Sequence, residues 1–437
     1  MAIIDDLNNL QTSIVTVKKV LADNINAKGV SVSENDTLTS LSNAVKNIPQ
    51  GGGVGVAIPE GTRFGYSTFQ TLPNELVLHM NTLDDYQRMY YDCDSMVTAD
   101  MSSLTNISNK KEMTYMFGAN DKLEQIIFPE GLKPYRLLST FRDCKALTNI
   151  NFEVLDLSEC ITLKECFYGC SGLTTVTLPA TLSEDLTTID GMFYGCSGLT
   201  TVTLPTTFPS DTYIDCGSLF DRCTNLSTIN NLDKLKKVKK ITYAFRYCTS
   251  GLTEVVWNDI DYNGDVIENV FEECKSLNTI EINNGTYTIS YPFDANFFRN
   301  GFRSCSALTT CSMSNITINL PKTWNGSGIN TSSIFENCSA LTEVNLSNWT
   351  IGGFSGTTTT NINDLQNMFK NCTALTTIDF SGWDFNQVKT NTNMFQGCNS
   401  LTTIIMHNCS DESIAKMQTI INNHSKQSQI TIVRDSV

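Results

Sequence analysis

The stretch Met192-Phe193-Tyr194-Gly195-Cys196-Ser197-Gly198-Leu199-Thr200-Thr201-Val202-Thr203-Leu204-Pro205 nearly copies the stretch from Cys166 to Pro179, 26 residues earlier. Reduced to F-x-x-C-x-x-L-x-x-(I/V)-x-apolar, the pattern recurs twelve times at intervals of 24 to 34 residues. Its aromatic anchors are Tyr90, Phe117, Phe141, Phe167, Phe193, Phe220, Phe245, Phe271, Phe302, Phe335, Phe369 and Phe395. A unit this short cannot bury its own apolar face, so neighbouring units must stack into a solenoid. The end of each unit alternates: Val176 and Leu178 fall on one face, Thr175 and Thr177 on the other, which is the period of a short strand. Twelve stacked strands about 4.8 Å apart make a parallel sheet roughly 60 Å long.

The spacing Met368-Phe369-Lys370-Asn371-Cys372-Thr373-Ala374-Leu375, repeated over about residues 86 to 406, resembles the BspA-type leucine-rich repeat. That resemblance implies a repeat solenoid with a parallel β-sheet of about twelve coils near 26 residues each. It also implies a surface adhesin or binding protein, not an enzyme.

Sixteen cysteines invite a disulfide framework, but eleven of them occupy one repeat position, from Cys93 and Cys144 to Cys398. Free cysteine packs as a small hydrophobe, and Asn120 stands at the same position in the Phe117 unit. A column of buried, reduced thiols is therefore expected, with Cys160, Cys166, Cys216, Cys311 and Cys409 reduced as well. A net charge of −15 argues against binding nucleic acid through its phosphates, which needs a basic footprint. The one basic run, Lys234 to Lys240, reads as a solvated face between repeats. Neither a signal peptide nor a membrane span is visible from Met1 onward.

Around the array the chain divides into a helical anchoring segment (1–48), a glycine-rich linker (49–55), an N-terminal cap (56–88), the solenoid (89–406) and a C-terminal cap (407–437). In the first segment Ile3, Leu7, Leu10, Ile14, Val17 and Leu21 keep a 4-3-4-3-4 spacing. This is a coiled-coil seam, pointing to a homo-oligomer, with a trimer favoured, against the alternative of a helix packed on its own domain. With its Lys28-Gly29-Val30 turn and second short helix, the segment resembles attachment modules of phage tail and fibre proteins. The cap after residue 407 reads as a helix through Ile414, Met417, Ile420 and Ile421, then a strand from Gln429 to Val433.

Catalytic motifs are absent from the sequence. His79, His407 and His424 show no metal-ligand spacing, no cofactor signature is present, and no histidine recurs beside the cysteines to activate them. Asp259-Ile260-Asp261-Tyr262-Asn263-Gly264-Asp265 matches half a calcium loop, but Val270 replaces the required Glu at its twelfth position, so a turn is expected. Candidate contacts are the outward sheet positions Thr175, Thr177, Thr201, Thr203, Glu254, Glu281 and Glu343. The aromatics Trp324, Trp349 and Phe354, placed on long connections, join them. Three functions are compatible with these features. A phage virion fibre would hold other virion proteins through the N-terminal segment and a host-surface glycan or protein through the repeats. A bacterial cell-surface adhesin of the BspA type and a cytosolic protein-binding scaffold are the alternatives.

Overall fold

In Thr175-Val176-Thr177 the β-branched residues favour extended backbone, and the central valine points inward. The strand pairs in parallel with Thr201–Thr203, one repeat later, and that strand pairs with Thr228–Asn230. The computed structural model describes residues 70–435 apart from 291–294, 321–327, 353–361 and 426, together with Lys18, Lys19, Ala22, Ser33 and Phe64. Over these residues the chain is a parallel β-solenoid. Beyond Glu254 the same column of strands runs on as a seven-stranded sheet, from Glu254–Val256 to Thr431–Val433, with each strand in register with the next.

A second and a third column run along other sides of the rod. One joins Ile214–Asp215, Lys237–Lys240, Asp261–Gly264, Thr286–Ile289, Thr317–Asn319 and Thr350–Gly352. The other joins Ile267–Glu268, Ala295–Arg299, Ile329–Asn330 and Ile362–Asp364. The second column begins at Ile214, where the anchors are still 25 to 27 residues apart, and the third begins at Ile267, as the spacing rises above 30.

The core lies between the first column and an arch that carries the aromatic anchor. Successive anchor rings stack along the rod from Tyr90 to Phe395, with centroids 4.8 to 6.0 Å apart. Phe64 adds a further ring, 5.7 Å from Tyr90. The apolar repeat positions Leu199, Val202 and Leu204 fill the space beside Phe193 and are buried.

The arch has its own backbone rule. The residues two before and two after each anchor have left-handed φ: Ser139 and Asp143 flank Phe141, Glu165 and Gly169 flank Phe167, and Asn367 and Asn371 flank Phe369. Most are not glycine, although an L-residue in this region is strained by about 1 kcal/mol or more. The alternation turns every second amide along the rod axis. Thus the Ser139, Phe141 and Asp143 N–H groups donate to the carbonyls of Lys164, Cys166 and Tyr168 in the next coil, at 2.9, 2.9 and 2.7 Å. Intervening amides close local turns, such as Cys144 N–H to the Phe141 carbonyl at 3.2 Å. The arch thereby satisfies the backbone polar groups that burial would otherwise leave unpaired.

All sixteen cysteines are free, fifteen of them buried and Cys409 half-buried. Each thiol of the column donates to the anchor carbonyl of the preceding coil: Cys170 to Phe141 at 2.9 Å, Cys196 to Phe167 at 3.0 Å, Cys398 to Phe369 at 3.0 Å. Burial pushes the thiols of Cys144 and Cys398 up to about 12.

At the C-terminal end, helix α1 (Asp411–Ile421) starts at Ser410, whose hydroxyl accepts from the Ser413 amide at 3.2 Å. Its Met417, Ile420 and Ile421 are buried against the last coil, and the strand Thr431–Val433 closes the first column. The heptad positions Ile3, Leu7, Leu10, Ile14, Val17 and Leu21 lie outside the described residues.

Candidate ligand-binding face

The outward side of the first column is formed by alternate strand positions. Thr175, Glu254, Glu281 and Glu343 are exposed, while Thr177, Thr201 and Thr203 are half-buried. The residue that opens each strand segment is fixed by its neighbours: the Thr200 hydroxyl donates to the Thr174 carbonyl at 3.1 Å, and Thr376 repeats this on Thr342 at 3.0 Å. The following Thr or Glu is left facing out. Among the described residues no cation pairs with Glu254, Glu281 or Glu343, so the face is acidic and polar.

This face is interrupted once between Thr175 and Val433. Strand Thr228–Asn230 does not pair with Glu254–Val256, although each is paired on its other side. The cause is legible in the repeat. Cys223 and Leu226 are separated by two residues, as in the neighbouring units, but Cys248 and Leu252 are separated by three, Thr249-Ser250-Gly251. The extra residue falls just before the strand Glu254–Val256, where Gly251 runs so close to the coil beneath that a Cβ there would lie 2.6 Å from the Asn225 and Leu226 carbonyl oxygens. On the other side, Asn231 takes a left-handed φ of 64° and starts the 3-10 turn Leu232–Lys234.

The gap left by the missing rung is a pocket of about 330 Å³, floored by Ile229, Leu232, Leu252 and Val255 and rimmed by Asn231, Asp233, Glu254 and Val256. Val256 is 42% exposed because it takes the outward position of its strand, the one Glu281 holds in the next coil. An apolar floor with two carboxylates at its rim suits an aliphatic group that carries a positive charge.

The repeat spacing agrees with comparison to known families. The model described as "BspA type Leucine rich repeat region (6 copies)" matches residues 61–161, 84–219, 115–253 and 190–317, more than half of the chain. The chain belongs to the BspA-type leucine-rich repeat family. Its later part, residues 298–432, matches a model described as "Mycoplasma protein of unknown function, DUF285". No curated protein matches this BspA-type chain. Among solved structures it is similar to a leucine-rich repeat protein of Bacteroides ovatus, at 17% identity over 80% of this chain and 86% of that one, with a TM-score of 0.41. An internalin of Listeria monocytogenes is similar at 12% identity over 79% and 88%, with a TM-score of 0.22. Neither likeness carries a functional argument.

Three expectations for this BspA-type chain need correction. Trp349 is not a surface contact: it is 5% exposed, its ring lies 4.9 Å from that of Trp383, and its indole N–H donates to the Met313 carbonyl. The signal was present, since Trp349 and Trp383 are 34 residues apart, the same interval as Phe335 and Phe369. Trp324 and Phe354 fall outside the described residues. The segment Asp261–Gly264, expected as a turn, is a strand paired with Thr286–Ile289. There Asp261 accepts the Tyr213 hydroxyl at 3.0 Å, and Asp259 meets Lys236 at 3.2 Å. Finally, the basic run is more than a solvated face. Lys237–Lys240 is a strand with Val238 buried in the core, while Lys239 and Lys240 remain exposed. Sequence reasoning missed the gap itself, although the extra residue before Leu252 marked it. Among the described residues no helix is long and apolar enough to cross a membrane.

Proposed function

We propose that the chain is a non-catalytic, adhesin-type binding scaffold that takes a surface ligand on the outward face of its first strand column, centred on the pocket at Ile229 and Val256. The observation that carries this reading is the one-residue insertion at Thr249-Ser250-Gly251. It opens an apolar, acid-rimmed pocket in a sheet that otherwise runs unbroken from Thr175 to Val433, while the ring stack beneath continues from Phe220 to Phe245 to Phe271. A rigid rod that keeps its core while opening its surface presents a preformed site at small entropic cost. BspA-type repeats often belong to cell-surface proteins, which favours the adhesin over a virion fibre or a cytosolic scaffold. Thr175, Thr177, Thr201 and Thr203 extend the polar face on one side of the gap, and Glu281 and Glu343 extend it on the other. Oligomerisation through Ile3 to Leu21 would multiply weak contacts into avidity.

The test is binding of the full chain to arrayed glycans and extracellular-matrix proteins, compared with a variant lacking Ser250. Removing that residue restores the two-residue spacing and closes the gap. The reading expects the variant to lose binding by tenfold or more with its melting temperature kept or raised. Equal binding by the variant, or no binding by the parent, sinks it.

A further inference from the structure

In each coil from Phe117 to Phe369 the arch amides donate to carbonyls of the coil that follows. The last arch has no such coil. The amides in the same register there belong to Asn391, Asn393, Phe395 and Gly397. Their counterparts one coil earlier, Leu365, Asn367, Phe369 and Asn371, donate to Thr390, Thr392, Met394 and Gln396 at 2.7, 3.0, 3.0 and 2.7 Å. Helix α1 covers the ring stack but leaves these four N–H groups without a partner among the described residues. They open into a cavity of about 500 Å³ lined by residues 391–397 of the arch and by Ile420, Asn423, His424 and Ser425.

We propose that this cavity is an oxyanion site for a carboxylate, sulfate or phosphate group, held by main-chain N–H donors. Three observations converge on it. Asn393 and Gly397 have left-handed φ, 58° and 82°, and alternation of left- and right-handed residues makes the concave array of amides that binds anions. Every second peptide group of the arch points the same way, N–H toward the C-terminal end of the rod. Their dipoles of about 3.5 D each therefore add as they do in a helix, with the positive end at this cavity. In a chain of net charge −15, the cavity lining carries no Asp or Glu.

The experiment is an amide-proton NMR titration of the full chain with sodium acetate and, separately, sodium sulfate, at constant ionic strength balanced with chloride. Saturable downfield shifts of the Asn391, Asn393, Phe395 and Gly397 amide protons are expected. Acetate acting alone would assign a carboxylate, and sulfate acting alone would assign a tetrahedral oxyanion. A second variant supplies the anion internally: in Asn423→Asp the same four amides should sit downfield without added salt and lose their response to it. The new carboxyl should also titrate below the ordinary Asp range, because donors that favour the charged form lower its pKa. The proposal is overturned if the four amides of the parent chain move only linearly, by no more than exposed loop amides do. It is also overturned if a folded Asn423→Asp variant titrates normally and responds to anion as the parent does.

Discussion

The side-chain amide of Asn120 donates to the Tyr90 carbonyl at 2.8 Å, in the place where a cysteine thiol donates in every other described coil. The same NH₂ group reaches the Phe117 carbonyl at 2.9 Å, and its oxygen accepts from the Cys93 amide. The repeat position thus requires a compact donor beneath the next ring, and sulfur is only the usual way to supply it. Asn120→Ala leaves buried groups unpaired at about 1–3 kcal/mol each, and a loss of stability of at least that size is expected in chemical denaturation. Asn120→Cys, which restores the Tyr90 bond, should lose less than the alanine variant.

Because fifteen of the sixteen thiols are buried, out of reach of a reagent in solution, they should not react. At pH 8, the native chain is expected to expose about one fast thiol to a disulfide reagent, Cys409, and all sixteen after unfolding in guanidinium. Fewer than sixteen after unfolding under non-reducing conditions would mean that some of the sulfurs are bridged.

Phe193 stacks between Phe167 and Phe220 at 5.7 and 5.5 Å. Phe193→Ala should cost about 3–5 kcal/mol, the range for emptying a fully packed aromatic site. In an array held by nearest-neighbour interfaces the loss is local. The unfolding curve should therefore broaden or split, with the flanking coils melting separately, which circular dichroism in urea would show.

The left-handed arch positions separate strain from packing. A Cβ on Gly195 would meet only ordinary contacts, so Gly195→Ala tests φ alone and should cost about 1–2 kcal/mol. The reciprocal change, Ala119→Gly at φ 61°, should stabilise the chain by up to about 1 kcal/mol, an unusual sign for a glycine substitution.

Asp435 ties the last strand down. Its carboxylate accepts from the Asn408 amide at 2.8 Å and meets His407 Nδ1 at 2.9 Å. The Asn408 bond, reinforced by His407, holds its pKa below 3.8, the unperturbed value. A group lowered in the folded state lends its stability above the unfolded pKa and loses it as pH falls through the folded one. Hydrogen exchange at Thr431 and Ile432 should therefore stay slow at neutral pH and accelerate below about pH 3.8 beyond the rate of Thr403 in the neighbouring strand. Asp435→Asn should remove most of this pH dependence.

The parts of the fold readable in the sequence were those with one residue type at one position. Phe, Cys, Leu and the Thr-Val-Thr strands announce the stack because packing selects their side chains. The arch was hidden because its left-handed positions are occupied by Arg222, Tyr247, Glu273 and Asn337 as well as by glycine; a main-chain requirement leaves little trace when hydrogen bonds between coils offset the strain. The extra strand columns were hidden for a related reason. Pieces as short as Ile329–Asn330 carry no period of their own and exist only because the coil beside them offers an edge. The candidate pocket left a mark of a different kind, a single surplus residue before Leu252, which matters only once the spacing is counted from one coil to the next.

The two near-identical units beginning at Cys166 and Met192 pair strand to strand, ring to ring and thiol to carbonyl without adjustment. Excising residues 167–192 would join Cys166 to Phe193 and leave an unbroken rod one step shorter. Wherever the coding sequence repeats as closely as the protein does, unequal recombination there would produce working proteins of graded reach. Length, in such a molecule, is a trait that lineages can change in single increments without redesigning anything else.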